Sequence, residues 1–139
     1  MIVADASVVL KWILSDEEDR DKAIILRQRH ILGQDLIAVP DLLLYEVANV
    51  LPLKLDDLQQ VLEGLQEICE VDLHVHGFEF HELARVVELA RHYRISGYDA
   101  CYLVLSQALR CPFVTADEKL LERLKGIPHV MHLTHVKKA

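Results

Sequence analysis

Four acids, Asp5, Glu46, Asp99 and Asp117, are the residues of this sequence best placed to do chemistry. Asp5 directly follows a brief apolar run at residues 2–4. Asp117 lies two residues past Thr115, where a later run ends. Asp99 stands in the first turn of a helical stretch that opens after Ser96-Gly97, and Glu46 sits within the helical stretch that follows residues 36–39. Gathered at one place, four carboxylates would repel and raise one another's pKa values. A hard divalent cation removes that penalty, and Mg²⁺, which takes oxygen ligands and keeps several waters, needs only a few of them. The chemistry such a site suggests is metal-assisted phosphodiester hydrolysis, with the ion lowering the pKa of an attacking water.

Each acid also has a plain structural role open to it. Asp117, directly before Glu118-Lys119-Leu120-Leu121, is a natural helix N-cap. Ser96-Gly97-Tyr98-Asp99 reads as a capping box with Asp in place of the usual Glu. Glu46 and Asn49 share an i, i+3 stripe that would serve as a helix's solvent side. Asp5, immediately behind a first strand, is the hardest to explain by structure alone.

The elements that must position these residues alternate along the chain. Short apolar runs at 2–4, 36–39, 71–73, 112–115 and 130–133 read as strands. Helical patterns fill 19–33, 41–51, 55–68, 78–94, 97–110 and 117–125. Residues 41–51 are apolar almost all round, as in a buried helix, and 55–68 carry an i, i+3, i+4, i+7 stripe. This alternation predicts an α/β fold, a central parallel sheet of about five strands with helices on its faces. In such sheets ligands bind beyond the carboxyl ends of the strands, where the four acids would converge. The length of 139 residues suits one domain over 1–139, with no linker or repeat.

Composition narrows the functions further. The chain is 52% hydrophobic with a net charge of −7, which argues against gripping nucleic acid by bulk electrostatics. The acidity is uneven: residues 1–70 carry 6 Lys and Arg against 14 Asp and Glu, whereas 71–139 carry 9 against 8. No apolar run reaches the ~18 residues of a membrane span. The opening Met1-Ile2-Val3-Ala4-Asp5 has no basic segment, so no secretory leader is expected. Cys69, Cys101 and Cys111 show no CxxC spacing and read as free thiols in a reducing cytoplasm. The eight histidines, including His74-Val75-His76 and the triplet His129, His132 and His135, lack the partners of a zinc pattern. Trp12 and the tyrosines read as core or interface. No glycine-rich phosphate loop and no nucleophile elbow is present.

Four segments in order carry a resemblance. Asp5-Ala6-Ser7-Val8-Val9-Leu10-Lys11-Trp12, the stretch from Pro40 to Asn49, the stretch from Gly97 to Leu105 and the stretch from Phe113 to Leu120 are together similar to the motifs of PIN-domain nucleases, across essentially the whole chain. The size and the Lys11-Trp12 opening are most similar to VapC-type toxins. The resemblance implies a three-layer α/β/α fold, Mg²⁺- or Mn²⁺-dependent ribonuclease activity on an RNA substrate, a homodimer, and a small antitoxin partner that plugs the site. It places Asp5, Glu46, Asp99 and Asp117 as metal-binding, catalytic acids. Ser7 and Thr115 match hydroxyl positions that would orient carboxylates or metal-bound water, while local backbone bonding accounts for them equally well. One departure stands out: residues 47–70 hold one basic residue, Lys54, against five acids, so phosphate contacts would fall to Arg85, Arg91, Arg94 and Arg110. Two other classes remain as alternatives, a non-catalytic binding module on the same fold and an aspartate-dependent phosphatase or phosphoacceptor domain.

Overall fold

The computed structural model describes residues 1–137. Its elements are β1 (Ile2–Ala4), α1 (Ala6–Val9, continued by a 3-10 turn Leu10–Trp12), α2 (Arg20–Ile31), β2 (Ile37–Pro40), α3 (Leu42–Lys54), α4 (Leu58–Glu70), β3 (His74–His76), α5 (Phe80–Tyr93), α6 (Gly97–Leu109), β4 (Phe113–Thr115), α7 (Glu118–Arg123) and β5 (Val130–His132). The five strands form one sheet in the order β3-β2-β1-β4-β5, and every pairing is parallel. The expected architecture is therefore the observed one.

Strand alternation sorts the core into two layers. Ile2, Ala4, Ile37, Val39 and Val114 face one side, where they meet Trp12 and Leu26, Leu43 and Leu51 of α3, and Ile68 of α4. Val3, Ala38 and Phe113 face the other, against Val86 and Leu89 of α5, Leu103 of α6, and Leu120 and Leu124. A period of two thus places helices on both faces of a sheet whose central strands are buried. The Trp12 indole N–H donates to the Ala23 carbonyl at 2.8 Å, which ties the first helical turns to α2.

Three local readings shift. The strand expected at 71–73 is displaced to His74–His76, because Val71 caps α4 and Asp72 takes a left-handed backbone (φ 57°), so a turn consumes those residues. Helix α3 runs past Pro52 to Lys54 where a stop at Leu51 was expected. The proline falls in the last turn, so the one bond its missing N–H costs, to the Ala48 carbonyl, lies at the helix end. That helix is also not buried all round: Leu43, Val47 and Leu51 are covered, but Tyr45 and Leu53 stand 73% and 79% exposed.

The buried His30 is a structural clamp. Its Nδ1 accepts from the Ile37 N–H at 2.9 Å, so its Nε2–H donates to the Asp72 carbonyl at 3.0 Å, joining the end of α2 to β2 and to the approach of β3. His30→Leu leaves both backbone groups unpaired. At about 1–3 kcal/mol for each buried group, the expected loss is roughly 2–4 kcal/mol in urea unfolding, and a loss below ~0.5 kcal/mol would show that the clamp is dispensable.

Candidate active site

The chain reverses its order of sheet assembly at β1, which has β2 on one side and β4 on the other. The crevice beyond the carboxyl ends of these two strands is the topological switch point, the usual ligand position in such folds. Asp5 lies there as the residue after β1 and the N-cap of α1. Asp117 is the N-cap of α7, two residues after β4. Asp99 lies in the first turn of α6, whose N-cap is Ser96. Glu46 projects from the second turn of α3, the helix that follows β2.

Asp5 is the centre of this arrangement and only 5% exposed. Its Oδ1 accepts from the Ser7 N–H at 3.1 Å and from the Ser7 hydroxyl, and its Oδ2 accepts from the Thr115 hydroxyl. Thr115 Oγ1 accepts from the Asp117 N–H at 3.1 Å, and Ser7 Oγ accepts from the Ala116 N–H at 2.9 Å. Two hydroxyls thereby lace the end of β1 to the end of β4 and fix the plane of the Asp5 carboxylate. Ser7 and Thr115 perform backbone bonding and carboxylate orientation at once, so the two readings open to them in sequence are both realised.

The electrostatics link the four acids. Burial pushes Asp5 up to about 7, the Ser7 and Thr115 hydroxyls pull it back, and the charges of Asp99 and Glu46 push it further up. Burial also raises Glu46, against the Tyr102 hydroxyl and with the charge of Asp99. Asp99 is raised by burial, opposed by its hydrogen bond with Ser96 and reinforced by the charge of Asp117. Asp5, Glu46 and Asp99 thus share one field, and Asp117 joins it through Asp99.

The structural roles anticipated for these acids are partly present too. Asp117 Oδ1 accepts the Leu120 N–H at 3.1 Å as a cap, and Ser96 caps α6 by accepting the Asp99 N–H at 3.0 Å. Asp5 caps α1 through Ser7. Three of the four acids therefore sit at helix N-termini, where the helix dipole favours anions.

Tyr102 is the contributor that the sequence, which reads its tyrosines as core or interface, does not assign to the site. It is 1% exposed, stacks on Phe113 with ring centroids 6.0 Å apart, and donates its hydroxyl to Glu46 Oε1. Its i+3 spacing from Asp99 on α6 was the available signal. Burial holds its phenol protonated well above the usual range, so it acts as a fixed donor. The neighbouring Cys101 thiol is pushed up to about 11 by burial and by the charges of Glu46 and Asp41, which removes it as a nucleophile.

The donor set is hard oxygen throughout, which suits Mg²⁺ or Mn²⁺ and not a soft metal. Among the described residues no three His, Cys, Asp or Glu side chains close on one point as a finished metal cage. That arrangement still fits an ion that retains most of its water shell and takes one or two carboxylates directly. Burial, with a smaller part from the charges of Asp99 and Glu46, lifts Asp5 toward 7, and a bound cation would relieve that cost of ionisation.

Of the arginines considered for phosphate contacts, Arg110 caps the far end of α6, just before β4 begins, and so lies at the opposite sheet edge. Arg85 is paired with Glu88 at 3.3 Å. The histidines are spread: His74 packs edge-on to His30, and His132 Nδ1 is engaged by Thr134. Asp5, with both oxygens holding hydroxyl donors and its side chain buried, is poorly set to attack a phosphoryl group, which disfavours the phosphoacceptor alternative. The three cysteines are free, and no helix among the described residues is long and apolar enough to cross a membrane.

The PIN domain family model matches residues 2–127. A VapC ribonuclease of Mycobacterium bovis and the ribonuclease VapC9 of Mycobacterium tuberculosis are each 29% identical over 127 residues, spanning 86% of this chain and 88% of the relative. Among solved structures, the fold is similar to that of PAE2754 from Pyrobaculum aerophilum (TM-score 0.69, 21% identity, 96% of this chain and 83% of that one). It is also similar to a toxin–antitoxin complex from Klebsiella pneumoniae (TM-score 0.68, 16% identity, 96% and 98%).

Proposed function

The chain belongs to the PIN domain family, and from that premise we propose that it is a Mg²⁺- or Mn²⁺-dependent endoribonuclease, the toxin of a toxin–antitoxin pair. The observation that carries this reading is the buried Asp5, held by Ser7 and Thr115 and raised to about 7 within the field of Glu46 and Asp99. The names of the mycobacterial relatives support ribonuclease activity, and the similarity to the Klebsiella toxin–antitoxin complex supports a toxin–antitoxin setting.

Asp5, Glu46, Asp99 and Asp117 are the acids that would hold the ion. When bound, it lowers the pKa of an attacking water and offsets charge on the phosphodiester. The chain's own residues do the positioning. Ser7 and Thr115 prevent rotation of the Asp5 carboxylate. Tyr102 holds Glu46 Oε1 and leaves Oε2 without a protein partner among the described residues. Asp117 uses Oδ1 as a cap, which directs Oδ2 away from α7. Oriented carboxylates of this kind reduce the reorganisation needed as charge develops.

The test is a Mn²⁺ titration by calorimetry beside cleavage of structured and single-stranded RNA. Binding with metal-dependent cleavage supports the reading. No heat at millimolar Mn²⁺ and no cleavage would leave a non-catalytic binding module instead. Partner surfaces belong to the same proposal. Tyr45, Leu53, Leu58 and Leu62 of the adjoining helices α3 and α4 are 52–79% exposed, and exposed apolar groups on neighbouring helices mark an interaction surface. A homodimer with an antitoxin segment beside it would cover them. Sedimentation at tens of micromolar is expected to give a dimer, and Tyr45→Lys with Leu62→Lys is expected to give a monomer. A wild-type monomer would remove the homodimer. A reducing cytoplasmic setting agrees with the three free thiols.

A further inference from the structure

Beside the acid cluster lies a cavity of about 430 Å³, lined by Lys11, Glu18, Asp19, Glu118, His132 and Thr134. Its wall is continuous with the site. Ala116, which also lines it, donates its N–H to Ser7, and Glu118 directly follows Asp117. The volume lies within the roughly 300–1,000 Å³ of ligand pockets.

Lys11 is the unusual residue here. It is 7% exposed, and its ammonium meets one protein partner among the described residues, Glu17 Oε2 at a long 3.5 Å. An ammonium has three donors and is strongly hydrated. Burying it with one distant acceptor is costly unless water or a ligand in the cavity supplies the rest, so a ligand with well-placed acceptors has a donor to gain there. Asp19 is occupied by Lys22 at 3.3 Å, whereas Glu18 and Glu118 have no ion-pair partner among the described residues. The His132 Nδ1 accepts from the Thr134 N–H at 3.1 Å, which leaves the neutral ring's N–H at Nε2.

This lining is wrong for a bare phosphate, since its carboxylates outnumber the one ammonium. It suits a neutral ligand that offers acceptors on one edge and donors on another. Among nucleobases guanine matches best: its O6 and N7 accept from an ammonium, and its N1–H and N2–H₂ donate together to one carboxylate. We propose that this cavity takes the guanine base of a nucleotide flanking the scissile bond, with Lys11 on O6 and N7 and Glu118 on the N1 and N2 edge. The inference rests on the ribonuclease reading for its substrate, and it makes Lys11 and Glu118 specificity residues beside the catalytic acids.

The experiment titrates the full chain with guanosine, GMP, AMP, CMP and inorganic phosphate by calorimetry, without metal, and maps cut sites on an RNA of mixed sequence with Mn²⁺. Guanosine and GMP are expected to bind alike and at least ~10-fold more tightly than AMP, CMP or phosphate. Glu118→Gln, an exposed change on the helix surface, is expected to erase the preference for guanine over adenine both in binding and in the cut-site map. Lys11→Met is expected to weaken guanosine binding ~10-fold. Phosphate binding as tightly as GMP, or no binding of guanosine with cuts spread evenly over all four bases, overturns the proposal. Guanosine binding lost in Glu118→Gln, with no RNA cut under any condition, would sustain the cavity's role while removing the ribonuclease reading.

Discussion

Asp5→Asn is expected to lower RNA cleavage by roughly 10²–10⁴-fold, as the loss of several kcal/mol of charge stabilisation at a metal site requires, and yet to raise the stability of the metal-free protein. The carboxylate is buried and raised from 3.8 to about 7. A carboxylate whose folded pKa exceeds its unfolded value binds protons more tightly when folded. Its effect is therefore to lower stability as pH rises from about 4 to about 7, at roughly 1.4 kcal/mol per pH unit within that window. Asparagine removes that loss. Its amide fits the existing hydrogen bonds: the carbonyl accepts from the Ser7 N–H and hydroxyl, and the NH₂ donates to Thr115 Oγ1, which turns its own proton to Ser7 Oγ, 3.3 Å away. At pH 8 the variant should be more stable than wild type by roughly 2–4 kcal/mol, a rise of about 5–15 °C in Tm for a chain of this size. At pH 4 the two should melt together. A lower Tm for the variant at pH 8 would identify Asp5 as a structural carboxylate. The same comparison at Asp99, where Asn keeps the backbone N–H that Ser96 caps, should show a smaller rise because that carboxylate is less deeply buried.

How far the sequence led depends on how local each feature is. The short buried strands were legible because both faces of a parallel sheet are covered, so Ile2–Ala4 and Ile37–Pro40 read as unbroken apolar runs. The acids were legible because a polar residue directly after such a run falls at the carboxyl edge. Edge strand β3 was not, since His74-Val75-His76 is largely exposed and its start is set by the left-handed turn at Asp72. Helix α1 has no helical stretch of its own in the sequence, because Ala6–Val9 is a single turn that only the Asp5 cap separates from β1. The bond from Tyr102 to Glu46 joins residues 56 positions apart and follows from α3 and α6, on opposite faces of the sheet, both reaching its carboxyl edge. No local pattern carries that information, and a tyrosine on an apolar helix face reads as core, which it also is. The exposed half of α3 shows the converse. Hydrophobicity all round a helix marks surface that needs covering, but a partner can cover it as well as the chain's own core.

The pH dependence of metal binding should separate a metal site from a mere cluster of acids, with an effect as large as that of Asp5→Asn. Metal and proton compete for the same oxygens. With Asp5 raised to about 7, displacing its proton weakens Mn²⁺ affinity by about tenfold per unit below pH 7, so pH 5 should be roughly 100-fold poorer than pH 7. Glu46 and Asp99 are raised in the same direction and steepen the dependence. Read as stability at fixed excess Mn²⁺, a 100-fold change in affinity is worth about 2.7 kcal/mol. Melting curves at pH 5, 6, 7 and 8, with a chelator and with Mn²⁺, should therefore diverge. Metal-free stability falls as Asp5 ionises, Mn²⁺ restores it, and the gap widens up to about pH 7 before levelling off. Other titrating groups contribute equally to both curves and cancel in the gap. Tyr102→Phe removes the donor that favours ionised Glu46, so its gap should open at higher pH and be smaller by about 0.5–1.5 kcal/mol. Parallel curves with and without Mn²⁺ in the wild-type protein would mean that the four acids, however closely coupled, do not hold the ion.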